Sequence, residues 1–344
     1  MTGASALLRP LSGLYGLGVA VRLGLYRRGV LRVSRAARPV VSIGNVAAGG
    51  TGKTPFVRWL AAELSRRGLS PSILTRGYRR ESRGTLVVSD GRGAVAAADA
   101  SGDEAALLAR ALPGVPIVAD ASRSRAAATA EALEARVDLH LLDDGFSHVA
   151  LFRDVDVVLL DATAPDAGGA LLPAGRLREP LSSLARADLV VVTKSDQADP
   201  GPALRLAERY ARGLPVFRAT TRVRGVLDEA GEDVGPRALA ALRPVAVSGL
   251  ARPESFELTL ASLGLAPSAV LRYPDHARYG ENRLSEIRAA AEEAGATAVV
   301  TTEKDAVKLE GRLGLPLFRV AVEAEVVETG FVSELLSRLS RAPS

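Results

Sequence analysis

The chain contains no cysteine, which excludes disulfide bonds, thiol catalysis and thiolate metal sites. This absence fits a protein that faces the reducing cytosol. Aromatic residues make up only 4% of the 344 residues, whereas proteins that bind single-stranded nucleic acid usually need aromatic stacking platforms. Because the formal net charge is nevertheless +5, we expect a polyanionic partner such as a nucleotide or an anionic membrane surface, and no nucleic acid.

The N-terminal region lacks an apolar run long enough to span a bilayer. Residues 10–21 carry no charge, but a transmembrane helix needs about twenty apolar residues. Apolar residues recur there at helical spacing and arginines follow, so we expect residues 1–38 to form a basic amphipathic segment in the membrane interface. A helix packed in the core and a cleaved signal peptide are the alternatives. The apolar stripe is Leu7, Leu11, Leu14, Gly18, Val21 and Leu25, and the arginines are Arg22, Arg27, Arg28, Arg32, Arg35 and Arg38.

From residue 39 onward, short apolar runs alternate with helix-like stretches. This alternation predicts an α/β fold, like that of P-loop nucleotide-binding proteins, with a mostly parallel sheet and helices on both faces. We expect a nucleotide-binding domain at 39–218, a linker or strand pair at 219–236, and a second, smaller α/β domain at 237–344. The predicted strands are 39–43, 72–75, 85–88, 116–119, 139–143, 155–161, 189–193, 215–218, 244–248, 269–273, 297–302 and 317–320. The predicted helices are 55–67, 103–111, 122–135, 203–212, 253–263 and 281–294.

Residues 45–54, NVAAGGTGKT, here called the glycine loop, connect a predicted strand to a predicted helix. Glycines let backbone amides turn toward an anion, the helix N-terminus adds a positive partial charge, and Lys53 adds a full one. We therefore expect the loop to bind nucleotide phosphates and Thr54 to bind Mg²⁺. The strict pattern has glycine where this chain has Ala47, so the match is to the shorter GGxGKT variant. The predicted phosphate-binding residues are Ala47, Ala48, Gly49, Gly50, Thr51, Gly52, Lys53 and Thr54.

Two carboxylates, Asp143 and Asp144, end the strand predicted at 139–143. An aspartate at a strand end beside a phosphate loop is a typical magnesium ligand, because a hard cation prefers oxygen. Adjacent strand residues point to opposite faces, so both side chains are not expected to reach one metal ion. A solvated turn is the alternative.

The sequence GRLREP at 175–180 offers Arg176, Arg178 and Glu179 to the phosphates and the metal. It lies in a loop that follows the strand predicted at 155–161. A surface ion pair is the alternative for these residues.

Asp103 stands at the start of a predicted helix, where aspartate is a common N-cap. A carboxylate near a transferred phosphoryl group can instead accept the proton of the attacking hydroxyl. Among the histidines, His140 lies inside a strand and is predicted to be packed in the core, whereas His148 follows the DDGF turn. His276 lies in a loop beside Asp275, where it would serve a site closed by domain motion.

The sequence TKSD at 193–196 ends a strand and resembles the guanine-reading motif of GTPases. A GTPase or a nucleotide-dependent metallochaperone is therefore an alternative function.

Seven motifs resemble those of the tetraacyldisaccharide 4'-kinase family of lipid A biosynthesis, in order and over nearly the whole chain. They are NVAAGGTGKTP at 45–55, RGY at 76–78, GDE at 102–104, DDGFSH at 143–148, PAGRLREP at 173–180, YPDHARY at 273–279 and TEKDAVKL at 302–309. The stretch LYGLGVAVRLGLYRRG at 14–29 is similar to the membrane-associating segment of that family.

The resemblance implies transfer of the γ-phosphoryl group of ATP, with Mg²⁺, to the 4'-hydroxyl of a tetraacylated glucosamine disaccharide 1-phosphate. It implies a peripheral location at the cytoplasmic face of the inner membrane, and no protein partner. By motif matching, Asp103 is the base, paired with His276, and Lys53 holds the β and γ phosphates.

The resemblance also implies the remaining site residues. The magnesium ligands would be Thr54, Asp143 or Asp144, and Glu179. The residues that face the lipid substrate would be Asn45, Arg76, Glu104, Arg123, His148 and Arg178. The family usually has glutamine where this chain has the shorter Ser147.

Overall fold

The computed structural model describes residues 8–78, 80, 82–93 and 96–341. Most strands of the N-terminal half are short, apolar and fully buried, as expected where helices cover both faces of a sheet. The strands are β1 (Val40–Gly44), β2 (Pro71–Thr75), β3 (Leu86–Asp90), β4 (Pro116–Ala119), β5 (Leu139–Asp143), β6 (Val155–Asp161), β7 (Leu189–Thr193), β8 (Val216–Leu227), β9 (Val245–Ser248), β10 (Ala269–Arg272), β11 (Val299–Thr302) and β12 (Leu317–Val326).

These strands form one sheet in the order β10-β9-β11-β12-β8-β7-β6-β1-β5-β2-β4-β3. Neighbouring strands are parallel except for the antiparallel pairs β8–β12 and β3–β4. β1 lies between β5 and β6, with Ile43 opposite both Asp143 and Val157. The glycine loop and the acidic end of β5 therefore meet at the carboxyl edge of the sheet, where open α/β sheets bind ligands.

Helices cover both faces of the sheet, which confirms the predicted fold class. One face of the N-terminal half packs against α2, α4 and α11, and the other packs against α5 and α6. The helices are α1 (Arg9–Arg27), α2 (Lys53–Arg66), α3 (Ala98–Ser101), α4 (Asp103–Ala111), α5 (Arg123–Glu131), α6 (Gly201–Tyr210), α7 (Gly235–Ala241), α8 (Glu254–Ser262), α9 (Glu281–Glu293), α10 (Glu303–Leu309) and α11 (Phe331–Arg341), with a 3-10 helix at Leu181–Arg186.

Helix α1 lies outside the main cores and has two different faces. Leu11, Leu14 and Leu17 are 52%, 67% and 62% exposed, whereas Ser12 is buried. The predicted apolar stripe thus points largely to solvent, except that Leu7 falls outside the described residues. Within the ranges described above, no helix has both the length and the apolar character needed to cross a bilayer.

The two halves of the chain share the long antiparallel pair β8–β12. The sequence predicted that the strand would end at 218, but β8 continues to Leu227, so it extends into the segment 219–236 that was predicted as a linker or strand pair. A buried ion pair also joins the halves, since Arg58 of α2 lies 2.9 Å from Glu303 at the start of α10. Helices α10 and α11 were absent from the predicted elements. In the structure, α10 of the C-terminal half packs against α4 of the N-terminal half.

Candidate active site

The glycine loop joins the carboxyl end of β1 to the first turn of α2. Gly49 and Gly52 have φ angles of +113° and +77°, which side chains other than glycine rarely adopt. The buried Asn45 braces the loop from inside, because its Nδ2 donates to Ala47 O at 2.7 Å and to Thr51 Oγ1 at 2.9 Å. A backbone turn of this kind before a helix N-terminus is an anion-binding arrangement.

Lys53 and Asp144 face each other at the mouth of the glycine loop. Lys53 Nζ lies 3.2 Å from Asn45 Oδ1 and 3.6 Å from Asp144 Oδ1. The Arg178 guanidinium donates to both oxygens of the Asp144 carboxylate, to Oδ2 at 2.8 Å and to Oδ1 at 2.7 Å. Burial alone would raise the pKa of Asp144, but the charges of Lys53 and Arg178 hold it well below its ordinary value. Asp144 is thus an ionised carboxylate between two cations.

Asp143 ends β5 and has different partners from its neighbour. The backbone of Asp144 is left-handed, with φ of +53°, and turns the chain between the two side chains. Asp143 is buried, and Thr75 Oγ1 donates to its Oδ2 at 3.3 Å. Burial, followed by the charges of Glu104 and Asp144, raises the pKa of Asp143. The two aspartates therefore have different partners, and which of them would contact a metal ion stays a prediction.

A second loop, residues 171–179, here called the arginine loop, runs beside the glycine loop. Ala48 N donates to Arg176 O at 2.7 Å, and Ala47 pairs with Leu177 in an antiparallel bridge. The Arg176 guanidinium donates back to Ala48 O, at 3.1 Å from Nε and 3.0 Å from Nη2. Arg176 therefore lies against the backbone of the phosphate-binding turn, and its predicted contact with the nucleotide phosphates stays a prediction.

Three side-chain oxygens near these loops are candidates to bind a magnesium ion: the Thr54 hydroxyl, Asp143 Oδ1 and Glu179 Oε1. Thr54 lies in the first turn of α2, and Glu179 is buried at the end of the arginine loop, with Arg186 Nη2 2.5 Å from its Oε2. In the described part of the chain, Asp143 Oδ1 and Glu179 Oε1 are buried acceptors without a hydrogen-bond partner. Across all described residues, there is no cluster of three or more His, Asp or Glu side chains that could hold a metal ion.

Asp103 and His276 meet across the two halves of the chain. His276 Nδ1 lies 3.3 Å from Asp103 Oδ2, and Lys304 Nζ lies 3.4 Å from His276 Nε2. Asp103 thus lies on the Nδ1 side of the His276 ring, and Lys304 and Asp275 lie on the Nε2 side. The His276 backbone is left-handed, with φ of +59°.

Lys308 of α10 is a second partner of the Asp103 carboxylate, and sequence reasoning did not single it out. Its Nζ lies 2.6 Å from Asp103 Oδ2. Burial alone would raise the pKa of Asp103, but hydrogen bonds from His276 and Lys308 and the charges of Lys308 and Lys304 hold it below its ordinary value. Asp103 is therefore an ionised acceptor at neutral pH. Its lysine partner lies in the TEKDAVKL motif, which was the available signal.

The predicted substrate residues surround a positively charged region near His148. Arg123 is buried, and desolvation lowers its pKa to about 10, so it stays charged at neutral pH. Burial, and then the charges of nearby arginines including Arg123, Arg22 and Arg76, lower the pKa of His148 to about 4. Arg76 is exposed beyond the end of β2. Glu104, in the first turn of α4, is half-buried next to Asp103.

Two residues that the sequence left without a firm role have structural partners. His140 is fully buried between Ser72 Oγ at 2.7 Å and Glu131 Oε1 at 3.0 Å, which fits the predicted core position. Lys194 of the TKSD sequence donates to Gly50 O at 2.6 Å and to Asp161 Oδ2 at 2.8 Å. Lys194 thus supports the glycine loop from outside.

The sequence model of the family described as Tetraacyldisaccharide-1-P 4'-kinase matches residues 4–340. The chain belongs to this family. Membership confirms the resemblance seen in the motifs and does not favour the GTPase or metallochaperone alternative.

Relatives of this kinase family match over most of their own lengths. A tetraacyldisaccharide 4'-kinase of Anaeromyxobacter sp. (strain Fw109-5) is 46% identical over 333 residues, covering 94% of this chain and 89% of the relative. One from Geobacter metallireducens is 41% identical over 315 residues, covering 90% and 91%. Among solved structures, LpxK from Aquifex aeolicus in complex with ATP superposes with a TM-score of 0.77 at 31% identity, covering 98% of this chain and 99% of that one.

Proposed function

We propose that this chain uses ATP to phosphorylate the 4'-hydroxyl of a tetraacylated glucosamine disaccharide 1-phosphate, a lipid A precursor. One observation carries the proposal: a phosphate-binding loop and a separate carboxylate–histidine pair occur together in a chain that matches the kinase family from residue 4 to residue 340. Kinase chemistry needs both features, because the triphosphate must be fixed and the attacking hydroxyl must lose a proton.

The triphosphate is bound by charge that is already in position. Backbone amides of the glycine loop and the N-terminus of α2 face the β and γ phosphates, and Lys53 supplies a full positive charge to the developing negative charge. Lys53 is pre-oriented by Asn45 Oδ1 and Asp144 Oδ1, so little of its side-chain entropy remains to be lost on binding.

Asp103 accepts the proton of the 4'-hydroxyl as that oxygen attacks the γ-phosphorus. A bond forms between the 4'-oxygen and phosphorus, the bond from phosphorus to the β–γ bridging oxygen breaks, and ADP leaves with that electron pair. His276 and Lys308 fix the carboxylate so that one oxygen is turned toward the hydroxyl. Positioning of this kind is the main source of rate in phosphoryl transfer.

Thr54, Asp143 or Asp144, and Glu179 would hold Mg²⁺. The residues fit a hard cation, since all offer oxygen and two buried carboxylate oxygens, Asp143 Oδ1 and Glu179 Oε1, lack hydrogen-bond partners within the described residues. When bound, the ion supplies positive charge to the phosphate oxygens. A site with few protein ligands is usual for Mg²⁺, which keeps several waters and substrate phosphates in its shell.

Arg123, Arg76 and His148 form the region that would bind the sugar and its 1-phosphate. His148 stays neutral at physiological pH because its pKa is lowered to about 4, so it is a hydrogen-bonding group and not a third charge. Helix α1 would lie on the inner face of the cytoplasmic membrane, with its exposed leucines in the lipid and its arginines on anionic headgroups. The enzyme would then reach a substrate that never leaves the bilayer.

The direct test incubates the purified full chain with Mg²⁺, ATP labelled in its γ-phosphate, and the lipid disaccharide 1-phosphate in detergent micelles. We expect label in the lipid at the 4' position, and none when the 4'-hydroxyl is blocked. A folded protein that binds ATP but leaves the lipid unlabelled would refute the reaction. Preference for GTP with lipid-independent hydrolysis would instead support the GTPase alternative.

A further inference from the structure

Helix α1 contacts the active-site loops through Ser12, Tyr15 and Arg22, while Leu14 and Leu17 remain exposed. Ser12 is 7% exposed, and its Oγ donates to Leu171 O at 2.9 Å and accepts from Ala174 N at 3.0 Å. One turn further along, Tyr15 Oη donates to Arg178 O at 3.1 Å. Residues spaced by three positions share one face of a helix, so Ser12 and Tyr15 together direct three hydrogen bonds to the arginine loop.

The packing at this face is close as well as polar. A Cβ atom at Gly16 would lie 2.7 Å from Leu171 Cδ1, so the helix backbone and the Leu171 side chain are close neighbours here. Further along α1, Arg22 Nη2 donates to Ser147 O at 3.1 Å, in the turn that follows Asp143 and Asp144. The helix therefore touches both loops that carry the charged groups of the phosphate site.

The arginine loop passes these contacts on to the phosphate-binding loop. Arg178 N donates to Val46 O at 2.7 Å, and the Arg178 side chain holds both oxygens of Asp144. The chain of contacts thus runs from Tyr15 to the backbone of Arg178, and from the side chain of Arg178 to Asp144 and so to Lys53.

We propose that Ser12 and Tyr15 are positioning residues of the kinase, and that α1 holds the arginine loop in its working geometry in addition to contacting the membrane. Helix α1 has two independent tasks on two faces: the leucine face meets lipid, and the serine–tyrosine face sets Arg178 and, through it, Asp144 and Lys53. This inference rests on the proposed kinase activity.

The test compares wild type with the double variant Ser12→Ala/Tyr15→Phe, in full-length protein, with the lipid substrate presented in detergent micelles. With the substrate in micelles, activity does not depend on binding of the enzyme to a bilayer. We expect kcat to fall about tenfold and the KM for ATP to rise, because the variant loses three side-chain hydrogen bonds to the loop while its exposed leucines are unchanged. Ser262→Ala, which removes the hydrogen bond of an exposed helical serine on α8, is the matched control and keeps wild-type kinetics.

Two further measurements separate positioning from folding and from membrane binding. Sedimentation with phosphatidylglycerol–phosphatidylethanolamine vesicles should be unchanged in the double variant, and Ser12→Thr, which retains a hydroxyl, should restore most of the activity lost by Ser12→Ala. Wild-type kcat and KM in the double variant would overturn the inference, as would equal defects in Ser12→Thr and Ser12→Ala. Absence of lipid labelling by the wild type would instead count against the proposed function.

Discussion

Lys308 offers the sharpest test of how the two halves of the chain build one active site. Its Nζ lies 2.6 Å from Asp103 Oδ2, and the two side chains are only 13% and 20% exposed. We expect Lys308→Met, which keeps most of the side-chain length, to lower kcat by about ten- to a hundredfold, since a charge-assisted hydrogen bond contributes about 1.5–3 kcal/mol. The loss arises because Asp103 keeps only His276 to orient it.

The pH dependence of Lys308→Met gives a second, independent readout. In the wild type, hydrogen bonds from His276 and Lys308, with the charges of Lys308 and Lys304, outweigh burial and keep the pKa of Asp103 below its ordinary value. Removing Lys308 takes away some of the interactions that lower the pKa of Asp103, whereas the burial that raises this pKa remains. The acid limb of the pH–rate profile should therefore move to higher pH, with the defect largest in acid.

The assay measures steady-state kcat and KM with micellar lipid between pH 4 and pH 9 in buffers of constant ionic strength. Lys308→Arg keeps the positive charge and should restore much of kcat. Arg338→Met, which breaks the surface ion pair with Glu334, is the control and should match wild type. An acid limb that stays in place, together with wild-type kcat, would refute the role given to Lys308.

Three other changes test separate parts of the molecule. Lys53→Ala should reduce turnover by orders of magnitude with an unchanged melting temperature, because it removes charge from the transition state; wild-type-like turnover would exclude that role. Asp120→Asn should destabilise the fold at pH 7 by about 2 kcal/mol, since the pKa of Asp120 is lowered from 3.8 to about 2. In urea unfolding, the stability of the wild-type protein should exceed that of the variant above pH 4, and this difference should shrink as the pH falls toward 2. Leu14→Glu/Leu17→Glu should abolish sedimentation with anionic vesicles, and unchanged sedimentation would show that this face does not bind lipid.

The central strands and the glycine loop could be predicted from sequence because their signals are local. β5 and β6 are mostly apolar, interrupted by His140 and Asp156 and each ending in an aspartate, and the turn before α2 has its glycines at fixed spacing. The extension of β8 could not be predicted, because its residues beyond 218 mix small, polar and charged side chains without a long apolar run. Their partners lie far away on β12, where Arg222 is 3.8 Å from Glu325 and Arg224 is 3.6 Å from Glu323. Such cross-strand pairs leave no apolar pattern to detect.

The candidate site was predictable by residue type but not by connection. Motif matching named Asp103 and His276, and the structure brings them within 3.3 Å of each other. Lys308 was not recognised because a lysine in a short helix is ordinarily a solvated side chain. Ser12 was missed for a similar reason: a serine within an uncharged run has no local signal, and its partners, Leu171 O and Ala174 N, belong to a loop distant in sequence.

The pairing of Ala47 with Leu177 explains why a phosphate loop can dispense with the first glycine of the strict pattern. Residue 47 pairs with a neighbouring segment, a conformation in which a methyl group is no burden, and left-handed turns begin only at Gly49. The spacing rule used to recognise such loops is thus tied to one way of supporting them. Chains that brace the turn with an adjacent segment will escape a search that insists on that glycine, and the bracing segment itself is the better signature to seek.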